Sequence, residues 1–108
     1  MSETEFLKLA DATLIAIMSA LDRLNDDDLL DVECKRSGNV LEIEFIDNGS
    51  KIIVNSQAPM QQLWVAAKSG GFHYNRVGSE WIDSRDGSEL FAALSQLASA
   101  QGGASITL

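Results

Sequence analysis

The stretch that most constrains this chain is a two-residue alternation that doubles back on itself. Leu41, Ile43 and Phe45 alternate with Glu42 and Glu44, Asn48-Gly49 follows, and Lys51-Ile52-Ile53-Val54 resumes the apolar pattern. A period of two sends one set of side chains to a dry face and the other to water. Asn-Gly best tolerates the two consecutive positive φ angles of a tight hairpin. A chain carrying this pattern must build an antiparallel sheet with one covered face. More strands fit the same sheet: Asp31-Val32-Glu33-Cys34 before a Ser37-Gly38-Asn39 turn, and Gln61 to Ala66 after the break at Pro59. Phe72 to Asn75 follows a Gly70-Gly71 turn, and Glu80-Trp81-Ile82 ends the series.

Helical periodicity brackets the strands. Ser2 with Glu5 three residues on has the form of a capping box. Phe6, Ala10, Thr13, Leu14, Ile17, Leu21 and Leu24 then fall on one stripe, predicting a helix over residues 3–24. Leu7, Ile15 and Met18 lie off that stripe. Asp86 with Glu89 predicts a second capped helix, with a core stripe of Leu90, Phe91, Leu94, Leu97 and Ala98 and a stop at Gly102-Gly103. The order is helix, five or six short antiparallel strands, helix. Its simplest burial is an α+β two-layer sandwich, one domain over residues 1–108, with both terminal helices on one sheet face. The tail from Ala104 to Leu108 is expected to cover little of the groove between the helices, which implies modest stability.

Charge is unevenly spread. Eight basic residues face 16 acidic ones, giving −8. Residues 1–33 hold nine of the acids against only Lys8 and Arg23, so nearly all the excess lies in the first third. Such a field repels nucleic acid and anionic membranes and attracts cations or a basic protein surface. The acidic start, Met1-Ser2-Glu3-Thr4-Glu5, lacks the basic and apolar regions of a signal peptide. No apolar run reaches the ~18 residues of a membrane helix. Cytoplasm is the expected location.

Catalytic patterns fail one by one. His73 is the sole histidine and has no serine or cysteine partner in pattern, and the lone Cys34 excludes an intramolecular disulfide, a Cys-x-x-Cys redox pair or a thiolate zinc cluster. Gly70-Gly71 leads into a strand and so is no phosphate loop, and Asp83 to Gly87 has the wrong register for a calcium loop. What remains is Asp22, Asp26, Asp27, Asp28, Asp31 and Glu33, spanning the end of the first helix, its loop and the first strand. Carboxylates suit hard cations such as Mg²⁺, Ca²⁺, Mn²⁺ and ferrous or ferric ion. No closed ligand set is present, so a metal site here is expected to be open, weak and poorly selective. Acids at a helix C-terminus oppose the macrodipole by ~0.3–1 kcal/mol each, a cost that points to function. Trp81 reads as core. If Leu63 and Val65 face the helices, Trp64 shares the open sheet face with Gln62 as a protein-binding anchor; otherwise it is partly buried.

The whole pattern resembles the bacterial frataxins, the CyaY family. The resemblance rests on Phe6-Leu7-Lys8-Leu9-Ala10-Asp11, on Asn48 through Asn55, and on Gln57-Ala58-Pro59-Met60-Gln61-Gln62-Leu63-Trp64. Gly70-Gly71-Phe72-His73-Tyr74 and Glu80-Trp81-Ile82 complete it, in order and spacing. It implies the same helix–sheet sandwich and a non-enzymatic role in iron–sulfur cluster assembly. Iron, Fe²⁺ or Fe³⁺, would bind weakly on an acidic ridge formed here by Asp22, Asp26, Asp27, Asp28, Asp31 and Glu33, with other divalent cations able to compete. Cysteine desulfurase would dock on the same ridge (Asp22, Asp31, Glu33), and the scaffold protein on the sheet around Gln62 and Trp64. A metal-free monomer is expected. Where relatives carry glutamates late in the first helix, this chain has Met18-Ser19-Ala20, so the weight moves to the loop and strand. The alternative implied by the family is ferroxidase activity or iron storage through metal-driven assembly.

Overall fold

The computed structural model describes residues 1–108. The first helix, α1, runs Glu3–Asp26, with Ser2 at its N-cap. The Ser2 hydroxyl accepts from the Glu5 N–H at 3.1 Å, the capping contact that the Ser-x-x-Glu spacing implies. Six strands follow: β1 Val32–Ser37, β2 Val40–Phe45, β3 Lys51–Gln57, β4 Gln62–Ala67, β5 Gly70–Val77 and β6 Glu80–Asp83. They form one antiparallel sheet whose spatial order is the chain order. The second helix, α2, spans Leu90–Gly102.

Alternation decides the faces. Leu41, Ile43, Phe45, Ile52, Val54, Leu63, Val65, Tyr74 and Trp81 point inward and join Phe6, Leu14, Ile17, Leu21, Leu90 and Leu94 in one core. The two helices therefore lie on one sheet face and leave the other open. Trp81 is buried, with its Nε1–H donating to the Thr13 hydroxyl at 2.8 Å and its ring edge-on to Phe6. Leu7 and Ile15 are exposed on α1, as their place off the core stripe implies.

Several boundaries differ from the expectation, and β1 and β5 run on to Ser37 and Val77. The first helix continues two residues further, to Asp26. Pro59 sits in a single 3₁₀ turn, Ala58–Met60, and Gln61 adopts a left-handed conformation, so β4 starts at Gln62. Gly70-Gly71 open β5 itself. At α2 the cap is Glu89, whose carboxylate accepts from the N–H groups of Phe91 and Ala92. Asp86 instead accepts from the Ser88 N–H, closing a turn one step earlier. Glu89 cannot be helical there because its backbone is extended and bridges to Ile82.

The tail also departs from expectation. It folds back along α2: the Ile106 N–H donates to the Ser99 hydroxyl and the Leu108 N–H to the Ser95 hydroxyl. Ile106 joins the core, and Ala104 and Leu108 pack against it. Serines four apart on α2 supply the acceptors, a signal that apolar periodicity does not carry.

Candidate functional site

The six candidate acids lie on a short, well-tied junction. Asp22 and Asp26 occupy the last two turns of α1, and Asp27 caps it. Asp28 takes a positive φ of 57°, the left-handed step that ends many helices and that aspartate tolerates better than most residues. The Leu29 N–H returns to the Leu24 carbonyl at 2.9 Å. The Asn25 side chain accepts from the Val32 N–H at 3.2 Å, pinning the last helical turn to the first residue of β1. Leu30 drops into the core between them, and the Asp31 carbonyl accepts from the Ile46 N–H. Loop and strand acids are thus held by backbone contacts on both sides.

All six carboxylates are exposed. None forms an ion pair: the two salt bridges of the molecule are Arg36–Asp11 and Lys51–Glu42. Arg36 meets α1 more than two turns before Asp22 and so leaves the ridge acids unpaired. The ridge also carries apolar surface, since Leu29 and Ile46 are both about half exposed. No three histidine, cysteine or acidic side chains converge to hold a metal ion. The ridge acids are therefore spread along the surface rather than gathered around one point. Cys34 adds no soft ligand: burial, with the nearby charge of Asp22, pushes its thiol up to about 11.

The open sheet face carries the second candidate surface. Leu63 and Val65 are buried beneath the helices, which places Trp64 on the open side, half-buried. Its indole stacks on the His73 ring, centroids 4.3 Å apart and planes 10° from parallel. Trp64 Nε1–H donates to the Gln62 carboxamide at 2.9 Å, and Gln62 in turn donates to the Asn75 side chain at 3.1 Å. The stack and the relay hold the ring in one orientation, the preorganisation that favours a protein contact. Gln62 and Trp64 were legible as candidates. His73 and Asn75 were not, because only the β4–β5 register brings them beside Trp64 and Gln62. Glu33, next to inward-facing Val32, shares the open sheet face with Trp64, whereas Asp22 and Asp26 belong to α1 on the covered side.

Two helices packed on one face of a six-stranded antiparallel sheet, in this order, are the architecture of frataxins. The frataxin-like domain model matches residues 1–104, and the chain belongs to that family. Within it, the iron–sulfur cluster assembly protein CyaY of Janthinobacterium sp. (strain Marseille) is 68% identical over the whole chain and 96% of its own length. The CyaY protein of Herminiimonas arsenicoxydans is 66% identical over the same spans. Among solved structures, the frataxin from Psychromonas ingrahamii superposes with a TM-score of 0.82 at 31% identity, covering 99% of this chain and 97% of that one. Trimeric frataxin from Saccharomyces cerevisiae, at 24% identity and a TM-score of 0.73 over 88% and 86% of the two chains, shares the fold. No helix of the molecule is long and apolar enough to cross a membrane.

Proposed function

We propose that this protein acts in iron–sulfur cluster assembly as a non-enzymatic, iron-binding regulator and adaptor. Its relatives at 66–68% identity bear the name of iron–sulfur cluster assembly protein. One structural observation carries the finer reading. Six exposed carboxylates are fixed along one helix–strand junction with no basic side chain paired to any of them. Such a surface favours a basic partner, here cysteine desulfurase, through Asp22, Asp31 and Glu33 and the loop acids between them. Fe²⁺ would bind loosely on Asp22, Asp26, Asp27, Asp28, Asp31 and Glu33, by carboxylate and water ligands, to be delivered or sensed, with other divalent cations competing. The scaffold protein would meet the stacked Trp64 and its neighbour Gln62. The protein would work in the cytoplasm as a monomer when metal is absent. Ferroxidase or storage chemistry asks for converging ligands, which the ridge geometry does not favour.

The test combines D27N, D28N and D31N in one variant, with desulfurase binding measured by calorimetry at low and high salt. Wild type should bind more weakly as salt rises, and the variant should bind weakly with a flattened salt response. An anaerobic Fe²⁺ titration of ¹⁵N-labelled protein should perturb amides of residues 22–33 in wild type only. Unchanged desulfurase affinity of the triple variant at low salt would refute the ridge as the docking surface.

A further inference from the structure

A second polar site lies away from the ridge, beside the start of α2. Tyr74 and Asp83 are cross-strand partners on β5 and β6, and both are buried, at 1% and 5% exposure. One Asp83 oxygen, Oδ1, accepts from the Arg85 N–H at 2.7 Å and from the Asp86 N–H at 3.4 Å. Its other oxygen and the Tyr74 hydroxyl make no hydrogen bond within the protein. Every polar side-chain atom fully sealed from solvent is satisfied, so both of these reach solvent, and both residues line one small cavity. That cavity measures about 100 Å³. Phe72, Ala93 and Leu97 give it apolar walls, and Asp86 and Ser88 complete its polar side.

A carboxylate this buried, with no cation paired to it, is costly unless something compensates its charge. The one basic side chain nearby, Arg85, donates to the Gly71 carbonyl and forms no ion pair with Asp83, its charge reaching Asp86 only through space. Burial, with the charges of Asp83, Asp86 and Glu89, holds the Tyr74 phenol up at about 12. Like any tyrosine at physiological pH, the phenol is neutral, with an oxygen lone pair to offer. Fewer than three metal-type ligands converge here, which disfavours a bare metal ion. An ammonium head is different. It carries three N–H donors and a compact charge. The phenol oxygen, the free Asp83 oxygen and the Asp86 carboxylate are acceptors, and the apolar walls suit the attached methylenes, with Phe72 offering a ring to the cation.

We infer that the cavity bounded by Tyr74, Asp83, Asp86 and Phe72 is a binding site for a primary alkylammonium group, either a free amine or the lysine side chain of a partner. The site is independent of the ridge and of the function proposed from it.

The test titrates ¹⁵N-labelled wild type, Y74F and D83N separately with n-butylammonium chloride and with a blocked Gly-Lys-Gly peptide. Sodium chloride at matched ionic strength is the control. D83N keeps an oxygen acceptor for the loop N–H groups while removing the charge, and melting temperatures check that each variant folds. Saturable shifts at Phe72, Tyr74, Ala93 and Gln96 are expected, absent with sodium chloride and weakened about tenfold in D83N, the scale of one hydrogen bond to a charged group. Y74F should weaken binding in the same direction. Saturation by butylammonium alone assigns a free amine, and saturation by the peptide as well assigns a lysine side chain. Shifts that sodium chloride reproduces, or that are equal in wild type and D83N, would overturn the site and leave the cavity to water.

Discussion

The most informative single atom for stability is the hydroxyl of Thr13. It donates to the Leu9 carbonyl at 2.7 Å and accepts from Trp81 Nε1–H at 2.8 Å, with Thr13 8% and Trp81 2% exposed. T13V removes this oxygen while keeping the side chain's shape and nearly its helix propensity. The indole N–H is then stranded inside the core, at a cost of about 1–3 kcal/mol. For a domain of this size each kcal/mol moves the melting temperature by about 4–8 °C, so the drop should be on the order of 10 °C. Far-UV circular dichroism should follow it, because Trp64 would confuse a fluorescence readout. W81F removes the N–H together with ring area. Adding T13V to W81F should then cost under about 0.5 kcal/mol, so the two changes are strongly coupled in a double-mutant cycle. A T13V variant within about 0.5 kcal/mol of wild type, or additive with W81F, would refute the assignment of this hydrogen bond to stability.

Four further outcomes follow from the same geometry. I106A should destabilise by about 2 kcal/mol in urea unfolding, because the folded-back tail puts that side chain in the core. A Cβ at Gly102 would lie 2.5 Å from Leu30 Cδ1 and 3.4 Å from the Phe45 ring, so G102V should cost about 1–3 kcal/mol and shift the amides of Leu30 and Asp31. Cys34, pushed from its ordinary 9.0 to about 11, should react sluggishly with iodoacetamide at pH 8 and accelerate toward pH 11. The unfolded thiol loses its proton first, so folding stability declines as pH rises from 9 to 11, and Tyr74, raised from 10.0 to about 12, extends that decline. A pH-independent urea midpoint across that range would contradict both assignments.

Much of this fold was legible because its elements announce their periods. The 41–54 alternation and Asn48-Gly49 gave β2 and β3, and the apolar stripe of α1 matched the buried residues from Phe6 to Leu21. The Ser2 cap was readable because Ser-x-x-Glu works through local contacts. The α2 cap was misplaced at Asp86 because two acids three apart obey the same local rule. Only the tertiary bridge from Glu89 to Ile82 chooses between them. Likewise the candidate acids and Trp64 could be named from the chain, while the His73 stack, the Asn75 relay and the free Asp83 oxygen depend on cross-strand register. Register is fixed by the assembled sheet, and composition carries no trace of it.

The neighbour-to-neighbour order of the sheet has a kinetic consequence. Every strand finds its partner within a short loop, so the meander can zip up from its hairpins with little loop entropy lost. Docking of α1 is the exception: Thr13 and Trp81 meet across 68 positions of sequence. A helix made before the sheet it packs on is thus among the last elements to be secured. Until the β6 end of the sheet emerges, the apolar stripe of α1 lacks its distal seat. Slow synthesis of the final third would prolong an exposed, aggregation-prone interval that the finished molecule no longer shows.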